Sequence, residues 1–221
     1  MSESVRRLVV IGGGEHARVL MEAARSCPQR WQLLGFVDPE PCAETARRLG
    51  LARLGGDDEG LRLAREVVSL AIGVGSVGVG TVRRQVAARY DEAGAAWATI
   101  VHAAAWVSPS AMLSDGVFVS AGACVNGGAT IGRHCVVNTG AVVEHDASLG
   151  DFSQLGPAVV IGGGARIGAG AYVGLGACVR DHVTIGCNAT IGMGAVVVSH
   201  VADEAVVAGV PAAPFVAKVR R

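Results

Sequence analysis

The chain has 221 residues, length for one or two domains, and its 19 basic residues are matched by 19 acidic ones. Zero formal net charge without a long basic stripe excludes a nucleic-acid or membrane-surface role resting on bulk electrostatics. No apolar run approaches a membrane span without Gly or a charge interrupting it.

The first residues, Met1-Ser2-Glu3-Ser4, run straight into strand-like sequence, which predicts a cytoplasmic protein without a signal peptide. Cys27, Cys42, Cys124, Cys135, Cys178 and Cys187 form no CxxC pair and no Cys/His metal spacing. They read as reduced, small apolar residues, and no metal is expected.

Leu8-Val9-Val10-Ile11 is an aliphatic run of the buried-strand kind. Gly12-Gly13-Gly14-Glu15-His16-Ala17 follows, then Val19, Leu20 and Ala23 at helical spacing. Strand, glycine turn and helix open a doubly wound nucleotide-binding unit, in which backbone N–H groups at the helix start favour phosphate. Leu33-Leu34-Gly35-Phe36-Val37 reads as a second strand ending at Asp38, a place where an acidic residue commonly meets a ribose hydroxyl. A helix with Ala43, Ala46 and Leu49 follows, then another over residues 61–65, a third strand over 67–74 and a helix over 81–90. Residues 98–102 form a last strand leading into the second half. The expected division is an α/β, Rossmann-like domain over 1–104 and a second domain over 105–221. Gly12-x-Gly14-x-x-Ala17 with Asp38 formally matches a dinucleotide fingerprint. Three or four strands make only half of a full dinucleotide fold, which argues against bound NAD.

From Val107 a six-residue word repeats. Every sixth residue from Val107 to Val197, sixteen positions in all, is Val, Leu or Ile. The position four further on, from Ala111 and Val117 to Ala195 and Val201, holds only small or β-branched residues. Gly often follows the aliphatic residue, as in Ile131-Gly132 and Ile167-Gly168. Six matches neither the helical period nor simple strand alternation. It predicts a parallel β-helix whose faces each bury one large aliphatic residue, with a small residue filling each corner. After Ala202 the register stops.

Charged residues are sparse in this half, so Glu144-His145-Asp146 stands out. A neutral imidazole is the best general base near neutral pH, and a neighbouring carboxylate fixes its tautomer. His145 is therefore the candidate base, with Asp146 or Glu144 as its partner. His134, His182 and His200 fall at the fourth position of their hexads and are expected at solvated corners. No two histidines of the repeat lie close enough in sequence to favour the zinc alternative, a carbonic-anhydrase-like β-helix.

The repeat resembles the hexapeptide-repeat acyltransferases, whose left-handed parallel β-helix places three hexads in each triangular coil, giving about five coils here. Both halves together resemble the bacterial nucleotide-sugar and sialic-acid acetyltransferases. The N-terminal marks are Gly12-Gly13-Gly14-Glu15-His16-Ala17-Arg18, Phe36-Val37-Asp38, and Val77-Gly78 with Arg83. The junction marks are Ile100-Val101-His102 and Val107-Ser108-Pro109-Ser110-Ala111. The resemblance implies a homotrimer with active sites between subunits. It also implies acetyl-CoA as co-substrate, no permanently bound cofactor, and transfer to an amine of a nucleotide-linked amino-deoxysugar, most simply a 4-amino group. It assigns the nucleotide sugar to Gly14, Glu15, His16, Asp38, Arg83, Asn138 and Gln154, and acetyl-CoA to Gly163, Leu175 and Met193. Five positions depart from the family pattern: Glu15, Val79, Ala103 after His102, Gln154 and Ala213. With Ala213 in place of a basic residue, Lys218 or Arg220 is left to meet the CoA phosphates. O-acetylation of a sialic-acid-like sugar and a non-catalytic nucleotide-binding scaffold are the competing readings.

Overall fold

The computed structural model describes residues 4–41, 43–75 and 81–215. Five parallel strands, β1 (Arg6–Ile11), β2 (Trp31–Val37), β3 (Arg53–Gly55), β4 (Ser69–Ile72) and β5 (Ala96–Trp97), form the first sheet in the order β3-β2-β1-β4-β5. Helices α1 (Glu15–Arg25), α2 (Ala43–Leu49), α3 (Asp57–Leu63) and α4 (Thr81–Glu92) connect them. Leu8 to Ile11 are all buried, because a parallel strand covered on both faces has no solvent side to alternate toward. Strand order reverses between β1 and β4, which leaves a crevice beyond their carboxyl ends.

Two strands were not legible in the sequence. β3 and β5 have three and two residues, too few for any periodicity to register. Of the strand expected over 98–102 only Ile100–Val101 forms, and it begins the coil by pairing with Phe118–Val119, while Ala96–Trp97 just before it closes the first sheet.

The second half is a left-handed parallel β-helix. Its two-residue strands pair with those eighteen residues later, as Cys124–Val125 with Val142–Val143 and these with Val160–Ile161. The rungs make three faces. The first carries Phe118, Val136, Gln154 and Tyr172 outward, the second Trp106, Cys124, Val142, Val160, Cys178 and Val196, and the third Thr130, Ser148, Arg166 and Thr184. The second residue of each pair points inward, so Val125, Val143 and Ile161 are fully buried, and Ala141, Ala165 and Ala177 fill the corners between them. Each fully buried aliphatic side chain contributes on the order of 2 kcal/mol, repeated rung after rung.

The fourth position of the hexad takes the left-handed backbone region: φ is +72° at Gly128, +58° at Asp146, +62° at Gly164 and +58° at His182. Glycine accepts this freely, while His134, Asp146, Phe152 and His182 occupy it at a cost of about 1 kcal/mol each. The glycine after the aliphatic residue serves another purpose. A Cβ at Gly168 would lie 2.5 Å from the Cys187 nitrogen of the next coil.

The repeat slips earlier than its sequence suggests. Val201, expected at a corner, bridges instead to Ile185, and Thr190 pairs with Val206, a spacing of sixteen. Two residues are missing from this last corner, where His200 Nδ1 accepts the Thr184 N–H at 2.9 Å.

The two halves pack through the first face. Ala17, Leu20 and Ala24 of α1 share a core with Ile100, Phe118 and Val136. α4 meets the vertex between the third and first faces, where Arg84 bonds Asn188 Oδ1 at 2.8 Å.

Candidate active site

The crevice at the strand-order switch has a volume of about 570 Å³ and is walled by Gly12, Gly14, His16, Asp38, Gly73 and Gly75, with Glu15 and Val74 at its edge. Its glycine turn is clamped from two sides. Asp38 Oδ2 accepts the Gly13 N–H at 2.7 Å, and Thr45 Oγ1 donates to the Gly13 carbonyl at 2.5 Å. Gly14 caps α1 with no side-chain cap bond, so the first N–H groups of the helix are open to an anion in the crevice. Glu15 does not oppose that anion. Its side chain is 94% exposed and leans to Arg18 at 3.7 Å.

His16 stands edge-on to Phe118, with ring centroids 5.7 Å apart. Burial, assisted by the charge of Arg83, lowers its pKa to about 4, so the ring is neutral at physiological pH. Its buried Nε2 has no partner among the described residues.

Arg83, expected to meet the nucleotide, does not line the crevice. It is 1% exposed, and its guanidinium donates to the carbonyls of Val74 at 2.8 Å, Ile72 at 3.3 Å and His134 at 3.1 Å. Burial pushes its pKa down to about 10. It ties the Gly73–Gly75 lip of the crevice to the coil. Val77, Gly78 and Val79 lie outside the described residues, as do Lys218 and Arg220.

On the coil, His145 and Asp146 turn the vertex between the second and third faces. Asp146 adopts the left-handed conformation, and its Oδ2 lies 2.9 Å from His145 Nδ1. That contact fixes Nδ1 as the protonated nitrogen and leaves the Nε2 lone pair outward. The Asp146 hydrogen bond raises the pKa of His145 against an opposing desolvation, and the charges of Asp146, Glu144 and Asp181 add smaller upward contributions. Between the two carboxylates left open by the sequence, Asp146 makes the contact. The Nε2 edge rests over Gly163, where a Cβ would lie 2.7 Å from Nε2. Asp181, which the sequence reading passed over, sits in the same register two coils on and was legible from that spacing.

The remaining candidates sit on other parts of the coil. Asn138, Leu175 and Met193 occupy the vertex between the first and second faces. Leu175 and Met193 are 53% and 78% exposed, and Asn138 Oδ1 accepts the Thr139 N–H at 2.8 Å. Gln154 is buried on the first face, beside the rungs that pack against α1. In a triangular cross-section the first face lies opposite the His145 vertex. The crevice and the imidazole of one chain are therefore on opposite sides of the coil.

His134 is not at a solvated corner. It is fully buried, edge-on to Trp97 at 4.7 Å and stacked on Phe152 at 4.9 Å. α4 and β5 cover this corner, which no hexad pattern can foretell. His182 and His200 are exposed. Among the described residues no three His, Cys, Asp or Glu side chains gather to hold a metal, and no helix is long and apolar enough to cross a membrane.

An α/β domain with a glycine-walled crevice, joined to a hexapeptide coil with an imidazole–carboxylate corner, is the arrangement of a hexapeptide-repeat acyltransferase. Residues 7–90 match the PglD N-terminal domain. PerB from Caulobacter crescentus, solved with CoA and GDP-perosamine, is 35% identical, with a TM-score of 0.84 over 95% of this chain and 97% of that one. The acetyltransferase domain of PglB from Neisseria gonorrhoeae, solved with acetyl coenzyme A, is 32% identical, with a TM-score of 0.85 over 96% and 100%. WeeI from Acinetobacter baumannii, 18% identical with a TM-score of 0.71 over 96% and 100%, shares the fold. No curated protein sequence matched the chain. The chain belongs to the PglD/PerB-like family of nucleotide-sugar acetyltransferases, enzymes that use acetyl-CoA as co-substrate.

Proposed function

We propose that the protein transfers acetyl from acetyl-CoA to the 4-amino group of a nucleotide-linked amino-deoxysugar, with His145 as general base. The observation that carries this reading is the His145 corner, with Nδ1 held by Asp146 and Nε2 free over a glycine floor. The neutral sugar amine attacks the thioester carbonyl carbon, and its nitrogen passes a proton to Nε2. The carbon–sulfur bond breaks, and the thiolate leaves with that proton as CoA thiol. Asp146 stabilises the imidazolium in between. Two Caulobacter perosamine N-acetyltransferase structures with CoA and GDP-perosamine carry a substituted histidine, which agrees with a histidine-centred site.

The nucleotide occupies the crevice, its phosphates at the start of α1 and its polar groups near His16 and Asp38, with Gln154 toward the sugar. Arg83 serves there by holding the lip. Because this crevice faces away from the His145 of its own chain, the working site joins two subunits of a homotrimer. The outward residues of the second face, Trp106, Cys124, Val142, Val160, Cys178 and Val196, are all apolar or thiol, which suits burial against neighbouring copies. That packing brings the His145–Gly163 vertex of one subunit to the Asn138–Leu175–Met193 vertex of the next and forms the acetyl-CoA groove.

The test is thiol release from acetyl-CoA against UDP-, dTDP- and GDP-linked 4-amino sugars and free sialic acids, with wild type beside His145→Ala. Turnover with one sugar nucleotide, reduced about a hundredfold or more in the variant, is the expected result. Turnover only with sialic acid would replace N-transfer by O-transfer. Undiminished activity in His145→Ala would refute the base.

A further inference from the structure

His145, Gly163 and Asp181 occupy the same position of three successive coils. Asp181 Oδ1 reaches back one coil and accepts the Gly163 N–H at 2.9 Å. Gly162 leaves it room to do so, since a Cβ there would lie 2.3 Å from the same oxygen. One peptide is thus held between the imidazole above and a carboxylate below.

The bond itself recurs along the coil. Asp151 accepts the Arg133 N–H at 2.8 Å, and Asp203 accepts the Cys187 N–H at 2.7 Å. Both of these lie at the vertex between the third and first faces, away from His145. A carboxylate closing a corner N–H is therefore a general device of this fold. Asp181 differs in what its peptide supports, because only Gly163 underlies the imidazole edge that carries the lone pair.

We propose that Asp181 is a positioning residue of the transfer site, fixing the Gly163 peptide beneath the Nε2 edge of His145 and setting a further negative charge near the ring. It keeps the floor on which thioester and amine meet from tilting, and it favours the imidazolium as the proton arrives. The inference rests on the reading of His145 as the base. The charged groups facing His145 are Asp146, Glu144 and Asp181, and all three act in the same direction on the ring.

The test compares wild type, Asp181→Asn, Asp181→Ala and Asp151→Asn in the full-length protein, by kcat/KM against pH and by NMR titration of the His145 ring. Asn retains an oxygen for the Gly163 N–H but no charge. In Asp181→Asn the ring titration and the acid limb of the rate profile should move to lower pH, because the base then binds its proton less tightly. Asp181→Ala should add a loss of about tenfold in kcat/KM as the floor loosens. Asp151→Asn, which removes an equivalent charge from a remote corner, should leave both midpoints in place. Equal midpoints for wild type and Asp181→Asn, or an equal shift in Asp151→Asn, would overturn the role of Asp181 while leaving His145 as base. A wild-type rate with no ionisation belonging to His145 would overturn both readings.

Discussion

His134 gives the sharpest test of the energetics. The ring is fully buried between Trp97 and Phe152, and neither ring nitrogen has a partner among the described residues. Burial, then the charges of Arg133 and Arg83, lower its pKa to about 4 from 6.5, against weaker opposition from Asp91 and Asp151. Above pH 6.5 the ring is neutral in both folded and unfolded chains, and the native state keeps its full stability. Between pH 6.5 and 4 only the unfolded chain takes up the proton, so stability falls with pH by about 1.4 kcal/mol per unit, roughly 3 kcal/mol over the window. His134→Phe removes the titration and the two unpartnered nitrogens together. Phenylalanine tolerates this backbone, as Phe152 shows at the next coil of the same corner with φ +60°. The variant should be more stable than wild type by about 1–3 kcal/mol at pH 7.5, and its advantage should grow by about 3 kcal/mol toward pH 4. Urea unfolding of both proteins at fixed concentration across this range measures the difference, and contributions common to both cancel. An advantage that does not change with pH, or a variant less stable at pH 7.5, would refute the argument.

Arg83→Met strips donors from three carbonyls across the joint, so unfolding free energy should drop by on the order of 3 kcal/mol; a loss under about 1 kcal/mol would show that the buried cation is dispensable. Val160→Asp puts a charge in the middle of the apolar second face, and light scattering should report dissociation to monomers without a loss of β-helix circular dichroism. An unchanged assembly would move the subunit interface to another face. Mixing a His145→Ala subunit with one whose crevice is blocked by Gly75→Trp should restore turnover in mixed trimers, since the open crevice of the first then meets the intact His145 of the second in one composite site. No recovery above the single variants would place crevice and base in one chain.

The coil was legible because its constraint is local and repeated. Each rung demands an aliphatic residue inward, and sixteen positions state the demand in order. The first glycine turn was legible for a similar reason, as strand, turn and helix follow one another within a few residues. What escaped the sequence depends on partners distant along the chain. His134 shares its hexad position with the exposed His182, and only the cover of Trp97 and Phe152 sets it apart. Arg83 was placed at the nucleotide by family resemblance, yet it reaches the carbonyl of His134, 51 residues away. The slip before Val201 could not be read because Val201 satisfies the pattern by residue type while occupying a different place in space. His145 was legible as an anomaly, a charged cluster in a repeat that otherwise carries few charges.

The fixed eighteen-residue pitch makes the coil a ruler whose marks are chemical. Each coil advances the chain by the spacing of neighbouring strands, about 4.8 Å. Removing one whole coil below Asp181 would shorten the protein and leave every remaining contact in phase. Removing a single hexad between His145 and Gly163 would still satisfy the inward pattern, yet it would rotate everything downstream by a third of a turn. Gly163 would then stand at a different vertex from His145, in a chain with an intact core and no working site. Natural length variation in this half of the molecule is therefore expected in steps of eighteen, with shorter changes confined to its two ends.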